Sequence, residues 1–502
     1  MTGSASSGSS SPSSLQAAAS SPPAAASSAA GAAGPASPAD EAATCEDLLC
    51  FIRESPTPFH AVQSALDRLH AAGFSALQLQ AAWPQLGPGG YYVCVGDSTL
   101  LAFWIPPKQA SDELRGFRII GAHTDSPNLR LKPRAAYEKH GYLQLGVEVY
   151  GGALLNSWLD RDLYIAGRVV VRHADGTLRR RLVQLSEPLI RVAQLAIHLD
   201  REINDKGLLL NRQEHLAPIV GLMGGAASRG TDRAPAESAA PPAETRFLGL
   251  LARALDTSPE SIVSTDLMLA DSLAPRRGGL DDELIYAPRL DNLGMCHAAL
   301  AGLLRTASQP GGHGIDAGLI PVIARFDHEE VGSSSAYGAQ APILPMLLER
   351  IAAATGQDVD RRDRYLRALA GSLCVSADMA HAIHPNYADR HEPQHRPRLN
   401  GGPVIKHNAQ QRYATCGRTA ALFADLCARA DVPVQHYVHR TDLPCGSTIG
   451  PITATLLAIP TVDVGSAMLS MHSARECAGA RDPERMARVM TQFLQHAGGL
   501  PS

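Results

Sequence analysis

The chain has 502 residues, 45% of them hydrophobic and 19% charged, and a formal net charge of −4. That length exceeds one ordinary domain and the composition is that of a globular protein, so two folded units plus tails are expected. The near-balanced charge, the lack of a basic block and the lack of any apolar run of the ~20 residues that span a bilayer speak against nucleic acid and membrane as partners.

In chain order, residues 1–44 are nearly all Ala, Ser, Gly and Pro, with no charge before Asp40. Such a segment buries too little apolar surface to offset its ordering entropy and reads as a disordered low-complexity tail. It has neither the arginines of a transit peptide nor the basic start of a secretory signal. Nine scattered cysteines without a Cys-x-x-Cys pair point to a reducing, cytoplasmic compartment.

Folded sequence is expected from about Cys45. A helical pattern through Leu48, Leu49 and Ile52 breaks at Ser55-Pro-Thr-Pro58, and a second helix runs over 61–72. Residues 91–95 and 100–105 read as paired strands around a Gly-Asp turn, and 117–122 as an apolar strand entering His123-Thr-Asp-Ser-Pro127. From about 131 to 270 the texture changes to strand-like pieces (142–150, 163–171, 180–185) and a predicted helix over 189–203, whose apolar residues share one face. A Gly/Ala/Pro/Ser-rich stretch, 223–245, reads as a mobile loop.

The α/β alternation then resumes, with a helix after Asp291, strands at 319–324, 373–376, 432–438 and 461–464, and helices at 342–353 and 483–495. The expected fold class is α/β: a mixed, mostly parallel sheet flanked by helices, formed by 45–130 and 271–502, with a β-rich domain, 131–270, inserted into it.

Polar clusters stand at the ends of the apolar strands or open the following helix. They are His123-Thr-Asp125, Asp291, Glu329-Glu330, Asp378 and His472. Adjacent carboxylates at the carboxyl end of a buried strand repel each other, and a cation is the economical way to hold them. His123, Asp291, Glu330, Asp378 and His472 are the ligand types that suit zinc and its divalent neighbours. Five such ligands serve two ions if one carboxylate bridges. Asp125 would orient the ring of His123 if the strand continues through both, and Glu329 would be free to take a proton from an activated water.

The motifs Gly121-Ala-His-Thr-Asp-Ser-Pro127, Leu195-Ala-Ile-His-Leu199, Arg289-Leu-Asp-Asn292, His328-Glu-Glu-Val-Gly-Ser333 and Ser376-Ala-Asp-Met-Ala-His-Ala382 carry a resemblance. With Lys406, Gly446-Ser-Thr-Ile-Gly-Pro451 and Met471-His-Ser-Ala-Arg-Glu476, they make the chain from about Cys45 onward resemble the M18 aspartyl aminopeptidases, a family of co-catalytic zinc peptidases. The resemblance implies two zinc ions per subunit, with cobalt or manganese as substitutes. It makes Asp291 the bridge, pairs it with His123 and Asp378 for one ion and with Glu330 and His472 for the other, and assigns Glu329 as general base and Asp125 as the brace of His123. It further implies a pocket for an acidic N-terminal side chain, with Lys406 as its cation and His381 and Tyr413 beside it. His198 would reach into a neighbouring subunit's active site, the inserted domain would mediate dimerisation, and dimers would assemble into a dodecamer. The nearest rival is an enzyme of the same architecture acting as a deacylase or neutral aminopeptidase. A more distant one is an assembly or cargo protein without the chemistry.

Overall fold

The computed structural model describes residues 36–107, 113–223, 241–309, 316–356 and 360–501. A nine-stranded mixed sheet is its centre. From one edge to the other the strands are Ser75–Ala76, Gly89–Val95, Thr99–Ile105, Leu319–Phe326, Gly116–His123, Leu373–Ala377, Thr461–Gly465, Val404–His407 and Gln435–Val438. The three middle strands after Thr99–Ile105 run parallel to one another, as does Thr461–Gly465 beside them. Strands Gly116–His123 and Leu319–Phe326 are buried along their whole lengths. Apart from the buried Arg118 and Arg325, their residues up to the site are apolar, as a sheet covered on both faces requires.

Helices cover both faces. Leu290–Ala307 packs on one side with Pro38–Glu54 and Asp482–Gln495, and Ile343–Ala354 with Arg361–Ala370 on the other. The first helix begins at Pro38 rather than near Cys45, because Ser37 and Asp40 form a reciprocal capping box and proline suits the first turn. The rest of the expected tail lies outside the described residues, as does most of the stretch 223–245, after which a helix starts at Ala243.

A separate six-stranded sheet forms entirely between Asn128 and Asp271. It is antiparallel and encloses its own apolar cluster, with Leu129, Leu163, Val169 and Leu267 at its heart.

The helix expected over 189–203 is not there. Its first residues complete the strand Leu178–Ile190, where Ile190 pairs with Leu163, and only the turn Ile197–Leu199 and the helix Ile203–Lys206 follow. The apolar spacing misleads because its stripe is split: Val192 is buried in the core of the six-stranded sheet, whereas Leu189 and Leu199, like Leu195 and Ile197 between them, are 46–75% exposed. A helix is held by packing of its apolar face more than by propensity, and sheet pairing takes the first residues instead. The strand expected over 432–438 shortens to Gln435–Val438, since Pro433 has no N–H to give.

Candidate active site

Three neighbouring parallel strands deliver the first site residues at their carboxyl ends, where open α/β sheets bind ligands. Gly116–His123 ends on His123 itself, and Phe326 stands opposite it in register. The Leu319–Phe326 strand then leads into a single tight turn, Glu329–Val331. On the other side Leu373–Ala377 is followed at once by Asp378. Asp291 lies at the start of the helix Leu290–Ala307 with non-helical dihedrals, so it projects toward the strand ends rather than continuing the spiral. His472 sits in the turn after Ala467–Leu469.

Left-handed backbone recurs around these residues: Arg289 at φ 57°, His328 at φ 62° and His472 at φ 67°. Non-glycine residues resist that conformation by roughly 1–2 kcal/mol each, and they adopt it where the surroundings over-determine it.

The distances bring the predicted ligands together. His123 Nε2 lies 3.5 Å from Asp291 Oδ1 and 3.6 Å from Asp378 Oδ1. His472 Nε2 lies 3.3 Å from Asp291 Oδ2 and 3.4 Å from Glu330 Oε2. Asp291 therefore turns one oxygen to each histidine. His123–Asp291–Asp378 and Asp291–Glu330–His472 each have potential ligand atoms within 4.8 Å of one another, as does His123–Glu329–Glu330. Asp291 Oδ1 and Glu330 Oε1 are buried and accept no hydrogen bond. Buried carboxylate oxygens without donors are costly, and a divalent cation is the partner that this donor set of imidazoles and carboxylates fits.

Asp125 differs in detail from expectation. The strand stops at His123, and the ring's Nδ1 donates to the backbone carbonyl of Asp125 at 3.0 Å, with the carboxylate at 3.4 Å. The ring is still held with Nε2 facing the site. The Asp125 carboxylate instead accepts the backbone N–H groups of Glu329 and Glu330, both at 3.1 Å.

A cavity of about 430 Å³ opens over this cluster, lined by His123, Asp291, Glu329, Glu330, Asp378 and His472. Lys406, His381 and Tyr413 line it as well. Lys406 is only 2% exposed; its ammonium donates to the Met379 carbonyl at 2.8 Å and lies 3.3 Å from Asp378 Oδ2. Burial and the Lys406 charge push the His381 imidazole down to about 4. His198 is exposed on the turn Ile197–Leu199 and does not line this cavity.

Sequence reasoning assigned no role to Glu476, the last residue of the quoted motif Met471–Glu476. It is buried and accepts the backbone N–H of Asp291 at 3.1 Å and of His472 at 2.7 Å, so one carboxylate fixes two of the clustered residues. Its place in that motif was the only available signal.

The electrostatics show a site short of positive charge. Burial, with the carboxylates of Asp378, Asp125 and Asp291, pushes Glu329 up to about 7 against the pull of His123. Burial and the Asp291 charge push Glu330 well above its usual range. Burial opposes charging of His472, but Asp291 and Glu330 outweigh it and raise the ring to about 10. Burial and Asp291 raise Glu476 to about 8.

These shifts predict a pH signature of the metal-free protein. An imidazole raised on folding stabilises the fold below its unfolded value of about 6.5 and loses that contribution as pH climbs through its folded value. A raised carboxyl likewise favours the folded state only while it holds its proton, so Glu329, Glu476 and His472 act in the same direction. Asp291, held low by both histidines, is already ionised throughout and adds no slope. In chelator, the melting temperature should fall from about pH 6 to about pH 10, and zinc should flatten the fall. A flat profile in chelator would contradict this picture.

Comparison with known proteins places the chain. The family described as aminopeptidase I zinc metalloprotease (M18) matches residues 51–494. A probable M18 family aminopeptidase 2 of Streptomyces coelicolor is 47% identical over 450 residues, covering 90% of this chain and 97% of that protein. Among solved structures, the cryo-EM structure of the Ape4 and Nbr1 complex has a chain 39% identical, with a TM-score of 0.83 over 91% of this chain and 86% of that one. The S. cerevisiae mApe1 dodecamer is 26% identical, with a TM-score of 0.75 over 90% of this chain and 96% of that one.

Proposed function

This chain belongs to the M18 family of aminopeptidase I zinc metalloproteases, and on that premise we propose that it removes N-terminal Asp or Glu from peptides, with two metal ions and Glu329 as general base. The observation that carries the acidic specificity is Lys406. A lysine this deeply buried needs a reason, and its ammonium has three donors. The Met379 carbonyl and Asp378 engage two of them, and the third remains for a ligand in the cavity. A substrate carboxylate there gains a charge-assisted hydrogen bond that a neutral side chain cannot supply. His381, kept neutral beside it, can donate to the same carboxylate.

His123, Asp291 and Asp378 would hold one ion and Asp291, Glu330 and His472 the other, with zinc the natural choice and cobalt or manganese as substitutes. When bound, such a pair supplies Lewis acidity that polarises the scissile carbonyl and acidifies the attacking water. Glu329 takes the proton of that water and passes it to the leaving nitrogen. Its Oε2 is 3.9 Å from His123 Nε2, the longest of the carboxylate contacts to that ring, which suits a base better than a ligand.

The inserted sheet is proposed as the dimerisation domain of a homo-oligomer, a dodecamer like the mApe1 structure. Exposed Leu195, Ile197, Leu199 and Leu209, in the connection between its strands Leu178–Ile190 and Ile219–Leu222, favour such contacts, and His198 among them would complete a neighbour's cavity. None of the nine cysteines is paired, which favours a reducing compartment, the cytoplasm. Among the described residues no helix is long and apolar enough to cross a membrane.

Hydrolysis rates on matched Asp-, Glu- and Leu-peptides test the specificity, with Lys406→Met as the variant. The wild type should favour the acidic pair. Lys406→Met should lower the Asp-to-Leu ratio of kcat/KM by about 10- to 100-fold, the worth of one charge-assisted hydrogen bond. Because Lys406 also touches Asp378, turnover of the Leu-peptide should drop too. An unchanged ratio would refute the pocket.

A further inference from the structure

The inserted sheet meets the site through three consecutive residues at the end of its strand Tyr142–Tyr150 and just beyond. Tyr150, 8% exposed, donates its hydroxyl to Asp125 Oδ2 at 2.6 Å. Gly151, at φ 69°, lets the backbone pass so near Glu330 that a Cβ there would lie 3.1 Å from the Glu330 Cβ. The Gly152 carbonyl accepts Nδ1 of His472 at 3.2 Å. The Arg130 guanidinium lies over the Tyr150 ring, 3.4 Å from its centroid.

Asp125 is the node. Its Oδ1 accepts the N–H of Glu329, and its Oδ2 accepts the N–H of Glu330 and the Tyr150 hydroxyl. The turn that these bonds hold is short and flanked by left-handed residues, His328 and Gly332. Its own closing bonds are Val331 N–H to the His328 carbonyl at 3.4 Å, Gly332 N–H to the Glu329 carbonyl at 2.9 Å and Ser333 N–H to the His328 carbonyl at 2.7 Å, with the Gln340 amide on the Gly332 carbonyl at 2.9 Å; none of them holds the N–H of Glu329 or Glu330. The direction of the Glu329 side chain thus depends on an anchor outside the turn. Asp125 can serve only while its own carboxylate is fixed: His123 Nδ1 lies 3.4 Å from Oδ1, and the Tyr150 hydroxyl holds Oδ2.

We propose that Tyr150 is a positioning residue for the hydrolysis, contributed by the inserted sheet, that holds through Asp125 the turn carrying Glu329 and Glu330. The inference rests on the reading of Glu329 as general base. Tyr150 touches no reacting atom; it acts through Asp125. Losing the phenol leaves Oδ2 with the Glu330 N–H alone, and sub-ångström drift of a base is enough to slow proton transfer.

Tyr150→Phe keeps the ring and the stack with Arg130. We expect kcat on an Asp-peptide to fall about ten-fold, with KM changed less than about two-fold and metal content per chain unchanged. Hydrogen–deuterium exchange of the peptide spanning 327–333 should quicken, a readout independent of turnover. Tyr142→Phe, an exposed hydroxyl on the same strand, should change neither. In an Asp125→Ala background, Tyr150→Phe should cost nothing further, since the route through Asp125 is already gone. Wild-type kcat and exchange in Tyr150→Phe would overturn the proposal. So would loss of kcat accompanied by loss of metal, or a full additional loss in the Asp125→Ala background. Full turnover in Glu329→Gln would overturn the base reading instead, and the exchange rates would then still decide whether Tyr150 holds the turn.

Discussion

Glu329→Gln should lower kcat on an Asp-peptide by about 10²- to 10⁴-fold while leaving metal content and KM near the wild-type values. The amide has the size of the carboxylate it replaces but cannot accept a proton. Glu329 lies in the cavity wall, and in the metal-free site its carboxyl sits near 7, because burial and three neighbouring carboxylates disfavour its charge. The groups held responsible for metal, centred on Asp291, do not require it. Metal analysis and steady-state kinetics on the same preparation check both halves. Full activity in the variant would remove Glu329 as base, and loss of metal would move it among the ligands.

Asp291→Asn is expected to have the broader effect. Asp291 faces both histidines, so its replacement strips one oxygen ligand from each group and leaves two pairs, His123 with Asp378 and Glu330 with His472. Two-residue remnants bind zinc poorly, and the new amide would turn an N–H toward one imidazole. Zinc per chain should fall close to zero and hydrolysis to background. His472→Ala, by contrast, should keep about one zinc, because His123, Asp291 and Asp378 remain. Retention of the full complement in Asp291→Asn would contradict the shared-carboxylate reading.

Much of this arrangement was readable from the chain. The strands before His123, Glu329 and Asp378 read as mainly apolar because they are buried on both faces, with only Arg118, Arg325 and Ser376 interrupting them, and the polar residues that follow stand at their carboxyl ends. What escaped depends on partners far apart in sequence. Nothing about Tyr150 distinguishes it from any strand tyrosine until Asp125 is seen opposite its hydroxyl. Lys406 is marked by the family resemblance alone; its own neighbours in sequence do not announce burial, and the strand Val404–His407, itself unrecognised, carries it inside. The helices Arg361–Ala370 and Gly417–Arg429 also went unread, while the segment 189–203 was misread from periodicity alone. Apolar spacing reports a face to be covered, and of that predicted face the chain itself buries Val192 while leaving Leu189 and Leu199 exposed.

The central claim is that side chains from five separate places in the sequence converge on a pair of cations that the reaction needs. Zinc per chain, measured on protein stripped by chelator and then titrated back with zinc while Asp-peptide hydrolysis is followed, tests it most directly. Two zinc ions per chain should be taken up, with activity absent before their return and restored with them. Undiminished turnover by fully stripped protein, or saturation at one ion per chain, would contradict it.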